Sequence, residues 1–370
     1  MTRLIIAAGG GGDAVAAAML DAALYGDSER AVILTYAWDR LLIDPVPGPR
    51  GPDDFARLQP LTPSVWKVPA AARPIAPAGS TLPRLAGELP HTFALIDPGK
   101  GIEGVTRQLE ELVAYLQPSS IDLLDVGGDV LARGDEPTLK SPLADSLTLA
   151  ACGQVDADIR LLVAGPGLDG ELSHRDLQGI LGGSIVHTFS AEDAETISSV
   201  LEWHPSEATG MLAAAARGVR GTCEVRDAGL PVPLTDESPT LHQVDLDVAL
   251  SRNELARAIR STSTTTLEQV EALSREVCGF SEIDYEREKA LRLRDQHQRP
   301  VKLDAESALL QLVQFEAEAR LRGVTHTTFR HLTEVLNLGG SQLDDLRRLL
   351  INSRPEQHAA PLWRVQPAPE

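Results

Sequence analysis

Four short stretches of this chain combine glycines with acids in the order that chemistry at the end of a β-strand requires. They are Gly9-Gly10-Gly11-Gly12-Asp13, Asp97-Pro98-Gly99-Lys100-Gly101, Asp125-Val126-Gly127-Gly128-Asp129 and Gly165-Pro166-Gly167-Leu168-Asp169-Gly170-Glu171. Each ends an apolar run of buried-strand type. A glycine turn leaves backbone N–H groups open, and a helix that follows it favours an anion through its unpaired N–H groups and its dipole. Gly9, Gly10, Gly11 and Gly12 therefore read as an anion cradle. Asp13, at the start of an alanine-rich helix, repels an anion unless a metal ion or a ligand hydroxyl or amine stands between them. The structural alternative is that the glycines let this helix pack tightly while Asp13 caps it.

Carboxylates at a strand end with open backbone around them suit a hard cation such as Mg²⁺, ribose hydroxyls or acid–base chemistry. Burying Asp125 beside leucines costs on the order of several kcal/mol unless something pairs with it. The residue types thus assign catalytic roles to Asp13, Asp125, Asp129 and Asp169, with Asp125 and Asp129 as metal ligands. Substrate or phosphate contacts fall to Gly9, Gly10, Gly11, Gly12, Arg50, Asp97, Lys100, Gly127, Gly128, Ser141, Gly167 and Glu171. Arg50 lies in a proline- and glycine-rich loop after the second strand, where open α/β sheets hold ligands. Lys100 stands between two glycines, and Ser141 precedes the proline that starts a helix. On one parallel sheet, all four glycine–acid endings would converge on one crevice.

The elements that must position these groups follow from periodicity. Leu4–Ala8 and Ala31–Trp38 are apolar strand-like runs separated by one helix, which predicts a parallel βαβ unit with a right-handed crossover. Strands recur at Thr92–Ile96, Ile121–Val126 and Ile159–Ala164, and Leu61–Pro90 reads as an excursion or lid. The fold class is α/β, a Rossmann-like, mainly parallel sheet with helices on both faces and a helical C-terminal part. The expected division is a ligand-binding domain at 1–250, a mainly helical region at 251–354 and a disordered tail at 355–370.

Charge sharpens the functional reading. Residues 1–250 carry 35 Asp/Glu against 17 Lys/Arg, whereas 251–370 are nearly balanced. That acidic front argues against a nucleic-acid partner, which needs clustered cations, and tolerates a divalent ion. Cys152, Cys223 and Cys278 form no metal-binding or disulfide pattern, and His326 and His331 are five apart rather than on one helix face. The absence of a leader-like start or a long apolar window predicts a cytoplasmic protein with no membrane partner.

With GGGGDA at 9–14, DVGGD at 125–129 and SPLAD at 141–145, the chain resembles a family of bacterial and archaeal proteins catalogued as a domain of unknown function. The resemblance spans roughly residues 1–330 and implies a Rossmann-like α/β protein without assigning a reaction. The GGD opening is also similar to that of phosphofructokinases, but their later nucleotide and sugar-phosphate motifs do not follow. The expected function is an enzyme of group transfer or hydrolysis, Mg²⁺-assisted, acting on a phosphorylated or nucleotide-like small molecule. The alternatives are a non-catalytic metabolite- or nucleotide-binding or assembly protein, and an atypical NAD-dependent dehydrogenase. The helical C-terminal part offers a surface for homo-oligomer formation.

Overall fold

Leu4, Ile5, Ile6 and Ala7 are each fully buried, because the strand they form lies inside a nine-stranded sheet with apolar layers on both sides. The computed structural model describes residues 2–26, 29–226, 229–294 and 303–365. The first strands are β1 (Leu4–Ala7), β2 (Val32–Tyr36), β3 (Thr92–Ile96), β4 (Ile121–Val126) and β5 (Ile159–Ala164). They continue as β6 (Ile185–Thr188), β7 (Gly221–Val225), β8 (Leu230–Leu234), β9 (Thr240–Val244), β10 (His326–Thr327) and β11 (Leu362–Arg364). Strands β5, β4, β1, β2 and β3 lie side by side in that order and all run parallel. Strands β9 and β6 extend one edge antiparallel, and Trp66–Lys67 with Gln59–Pro60 extend the other. The 61–90 excursion is thus partly an edge of the sheet.

The strand order reverses between β1 and β4. The chain moves outward from β1 through β2 to β3, then returns across the sheet to β4 and β5. Right-handed connections therefore place α1 (Asp13–Tyr25) on one face and α2 (Gly101–Leu116) and α3 (Pro142–Cys152) on the other. Alternation along the strands serves both layers: Leu4 and Ile6 join the core under α2 and α3, while Ile5 joins that of α1 and α4 (Glu207–Ala216). A crevice opens where neighbouring connections leave in opposite directions.

The region after 250 is mainly helical, and its first helices pack on the sheet. Helices α5 (Glu254–Thr262) and α6 (Leu267–Cys278) complete the layer on α2 and α3. Asn253 Nδ2 donates to the Val130 carbonyl at 3.1 Å, and the Thr264 hydroxyl accepts from the Ile102 N–H at 3.1 Å. Helix α7 (Glu282–Arg294) follows, and α8 (Ala305–Leu321), α9 (Phe329–Val335) and α10 (Leu343–Ser353) enclose a core of their own with Trp363. A second sheet, ordered β8, β7, β10, β11 and His358–Ala359, joins that core to the middle of the chain. Residues 355–365 are consequently ordered rather than a loose tail: Trp363 is fully buried and its Nε1 donates to Glu316 Oε1 at 3.1 Å. Their prolines suggest disorder, but the tryptophan supplies enough apolar surface to fix them. The expected tail at 366–370 lies outside the described residues. Among the described residues no helix is long and apolar enough to cross a membrane.

The four glycines after β1 have separable causes. Gly11 has φ +64°, a left-handed conformation that costs other residues roughly 1–2 kcal/mol. A Cβ at Gly12 would fall within 3 Å of the Ser206 and Thr209 side chains, where α1 meets the start of α4. Gly12→Ala should lower the melting midpoint by several degrees, since overpacking costs roughly 1–3 kcal/mol. Gly179→Ala, in a helix with open space around its Cβ, should leave the midpoint unchanged or raise it. Differential scanning calorimetry of the two variants checks both expectations.

Candidate active site

A cavity of about 820 Å³ opens at the carboxyl ends of β1, β2, β4 and β5, over the point where the strand order reverses. Gly9 to Asp13 reach it from β1, Asp125 and Asp129 from β4, and Leu168, Asp169 and Glu171 from the turn after β5. The start of α3 adds Ser141 and Asp145. The segment entering α4 adds His204, Ser206 and Glu207, while Glu282, Glu286 and Lys289 of α7 and Arg330 and Glu334 of α9 form the outer wall. Three of the four glycine–acid endings therefore converge.

The fourth does not, for a topological reason. Strand β3 lies on the outer side of β2, two strand steps of roughly 4.8 Å each from β1, where the order reverses. Asp97 instead accepts the Gly99 N–H at 2.9 Å, and Lys100 is exposed away from the cavity. Arg50 is also no anion clamp. It is buried against Asp44 at 3.0 Å and donates to the carbonyls of Val46, Pro47 and Gly48, stitching its own loop. Gly127, Gly128 and Gly167 shape the turns from below: the Gly127 N–H donates to the Ala164 carbonyl at 2.9 Å, and the Gly127 carbonyl accepts from the Gly167 N–H at 2.6 Å. All three have positive φ, and none lines the cavity.

Two classes of acid line the site. Glu171 is fully buried and fully partnered, accepting from the Lys140 and Ser141 N–H groups at 2.7 and 2.9 Å, from the Ser141 hydroxyl and from Arg226. Burial would raise its carboxyl, but Arg226 and these donors hold it below the usual range. Glu171 thus fixes Ser141 and Arg226 in the wall rather than awaiting a substrate.

Asp13, Asp125 and Asp145 are the opposite case. They are 9 %, 1 % and 4 % exposed, and one oxygen from each lies within 4.8 Å of the other two. The Gly9 N–H donates to Asp13 at 2.9 Å, whereas Asp125 Oδ2 and Asp145 Oδ1 are buried with no partner. Burial, followed by the neighbouring acid charges, raises Asp125 and Asp145 well above the carboxylate range. Burial also pushes Asp13 up to about 7, against the opposing Gly9 hydrogen bond and the charge of Arg40. Asp129 is raised as well, by burial and then by the charges of Asp145 and Asp125.

Asp145 is the residue that sequence reasoning missed, although it ends the SPLAD motif. The available signal was an acid on a helix whose other residues from Leu143 to Cys152 are apolar or small, for nothing in such a layer would pair with it. Arg40, Glu207, Glu282, Glu286, Arg330 and Glu334 were also missed, and most of these arrive from elements far along the chain. They hold the wall together: Glu286 accepts from Trp38 Nε1 at 3.0 Å and the Gly48 N–H at 2.8 Å, and Glu207 pairs with Arg330 at 3.2 Å.

A family model described as a protein of unknown function (DUF1152) matches residues 4–290. The chain belongs to that family. No curated protein and no solved structure matches it. The DUF1152 region contains every strand ending at the cavity and all the acids named above up to Glu286, whereas Arg330 and Glu334 follow it.

Asp169 adds a titration signature. Burial, and secondarily the Glu171 charge, pushes its carboxyl up to about 7 from 3.8, and its Oδ2 has no partner. The folded state therefore binds this proton more tightly than the unfolded state, so the contribution favours folding at low pH and is lost as pH rises from 3.8 towards 7. Asp169→Asn stays neutral throughout. Its melting midpoint relative to wild type should rise between pH 4 and pH 8, and a difference independent of pH would show that Asp169 is not buried in this way.

Proposed function

We propose that this protein is an enzyme of group transfer or hydrolysis, acting with a divalent cation on a phosphorylated or nucleotide-like small molecule. The observation that carries the reading is the juxtaposition, at one sheet crevice, of the open Gly9–Gly12 turn with Asp13, Asp125 and Asp145. Among the described residues the N–H groups of Gly10, Gly11 and Gly12 have no acceptor, so they are available to phosphoryl oxygens. A Mg²⁺-class ion between that anion and the three carboxylates would supply charge neutralisation and orient the phosphoryl group. Asp169, with a carboxyl poised near neutrality, takes the proton from the attacking water or hydroxyl. Lys140, which lines the cavity beside Ser141, is the cation placed to meet the outer part of the substrate.

The dehydrogenase alternative is weaker at β2. The acid after that strand, Asp39, spends both oxygens on Thr81, at 2.9 Å to the N–H and 2.7 Å to the hydroxyl. A ribose-binding acid would need a free oxygen there.

Thermal-shift titration of nucleotides, sugar phosphates and unphosphorylated metabolites with Mg²⁺, followed by product analysis of the hits, tests the proposal. A phosphorylated compound should raise the midpoint of wild type with concentration but not that of Gly11→Val. Asp125→Asn should abolish turnover with the midpoint within a few degrees of wild type. Stabilisation by unphosphorylated compounds alone would overturn the substrate class.

A further inference from the structure

We infer that Asp13, Asp125 and Asp145 form one divalent-cation site, and that an ion there strengthens the binding of an anionic substrate. The residue pattern pointed to Asp125 and Asp129, but the tertiary arrangement replaces Asp129 with Asp145. The three ligands come from three elements: the start of α1, the end of β4 and the first turn of α3. They meet beside Gly9, where a Cβ would stand 2.9 Å from an Asp13 oxygen and 3.2 Å from both Asp145 oxygens. The missing side chain is therefore what lets the carboxylates approach.

The independent observation is the pair of orphaned atoms. Asp125 Oδ2 and Asp145 Oδ1 are shielded from solvent and have no partner, on residues 1 % and 4 % exposed. Several buried acids elsewhere are paired: Asp21 accepts from Arg3 at 3.0 Å and from the Ala31 N–H at 3.2 Å, and Glu316 accepts from Trp363, Gln357 and Arg354; Asp44 and Glu282, each with an oxygen that lacks a hydrogen bond, still face Arg50 at 3.0 Å and Arg40 at 3.6 Å. Among the described residues no arginine or lysine nitrogen lies within 4.0 Å of the three clustered carboxylates. An all-oxygen set of carboxylates suits Mg²⁺ or Mn²⁺ rather than a metal that prefers nitrogen and sulfur.

The coupling follows from charge. Without the ion, Asp13, Asp125 and Asp145 beside Gly9 either stay ionised and repel an anion held by the glycine turn, or hold protons and offer it no positive charge. A doubly charged cation reverses that field, so ion and anion each strengthen the other's binding by the same factor. This second half rests on the phosphoryl reading of the site; the ion's own binding does not.

The test uses the full chain, stripped with a chelator and titrated with Mn²⁺, with bound ion read by electron paramagnetic resonance and calorimetry. One ion per chain is expected. Asp145→Asn should weaken it at least tenfold, and Asp129→Asn by clearly less; if Asp145→Asn does not fold, Asp13→Asn takes its place. No binding to wild type at millimolar Mn²⁺, or wild-type affinity in Asp145→Asn, overturns the site. Inorganic pyrophosphate is then titrated with and without Mn²⁺, and affinity at least tenfold higher with the ion is expected. Mn²⁺ bound at Asp145 with no pyrophosphate binding leaves the ion site standing and refutes the coupling together with the phosphoryl reading. Pyrophosphate bound equally well without the ion refutes the coupling alone.

Discussion

Taking a carboxylate out of water without a partner is among the costliest things a fold can do, and this protein concentrates that cost at one end of one sheet. Asp13, Asp125, Asp129 and Asp145 lie within a few residues of β1, β4 and α3, on elements whose other buried residues are mostly apolar. Their mutual repulsion would be relieved by moving any one of them outward. The neighbouring structure prevents it. Gly12 admits the Ser206 and Thr209 side chains so that α1 stays seated, and Gly127 and Gly167 lock the endings of β4 and β5 together. Glu171 draws Lys140, Ser141 and Arg226 into one wall.

The contrast between partnered and orphaned acids separates scaffold from chemistry throughout the chain. Asp21, Glu171, Glu207 and Glu316 are buried, and each accepts several hydrogen bonds or an arginine, so their charges stabilise local architecture. The cluster at β1 and β4 has no such set of donors. A group left without a partner in a closely packed interior persists where a ligand completes it, and the strand ends at a reversal of strand order are where α/β folds leave room for one. Asp169, with one oxygen bound to the Glu171 N–H at 2.9 Å and the other free, stands between the two classes.

The outer wall has a different origin. Its residues belong to α7 and α9 and are held by ion pairs that run between segments, Lys289 with Glu334 at 3.2 Å and Arg330 with Glu207 at 3.2 Å. The second sheet makes this possible, because β10 pairs with β7 and carries α9 to the mouth of the cavity. Residues beyond the family match thus complete a cavity whose floor lies within it.

The sequence by itself determined the local events: apolar runs that become buried strands, glycine turns at their ends, a helix after each, and the acids that stand in those turns. These depend on interactions between residues a few positions apart, so the α/β class and the acids at the ends of β1, β4 and β5 were legible. Only the tertiary structure decided which turns meet. The strand order put Lys100 and Asp97 at the end of β3, beyond the strands that end at the crevice, and Arg50 into its own loop, while it brought Asp145 from the first turn of an apolar helix to the side of the first glycine. Strand order is set by packing over the whole sheet rather than by spacing along the chain, and Trp363 shows the same dependence, since its burial against Glu316 orders a segment whose composition reads as loose.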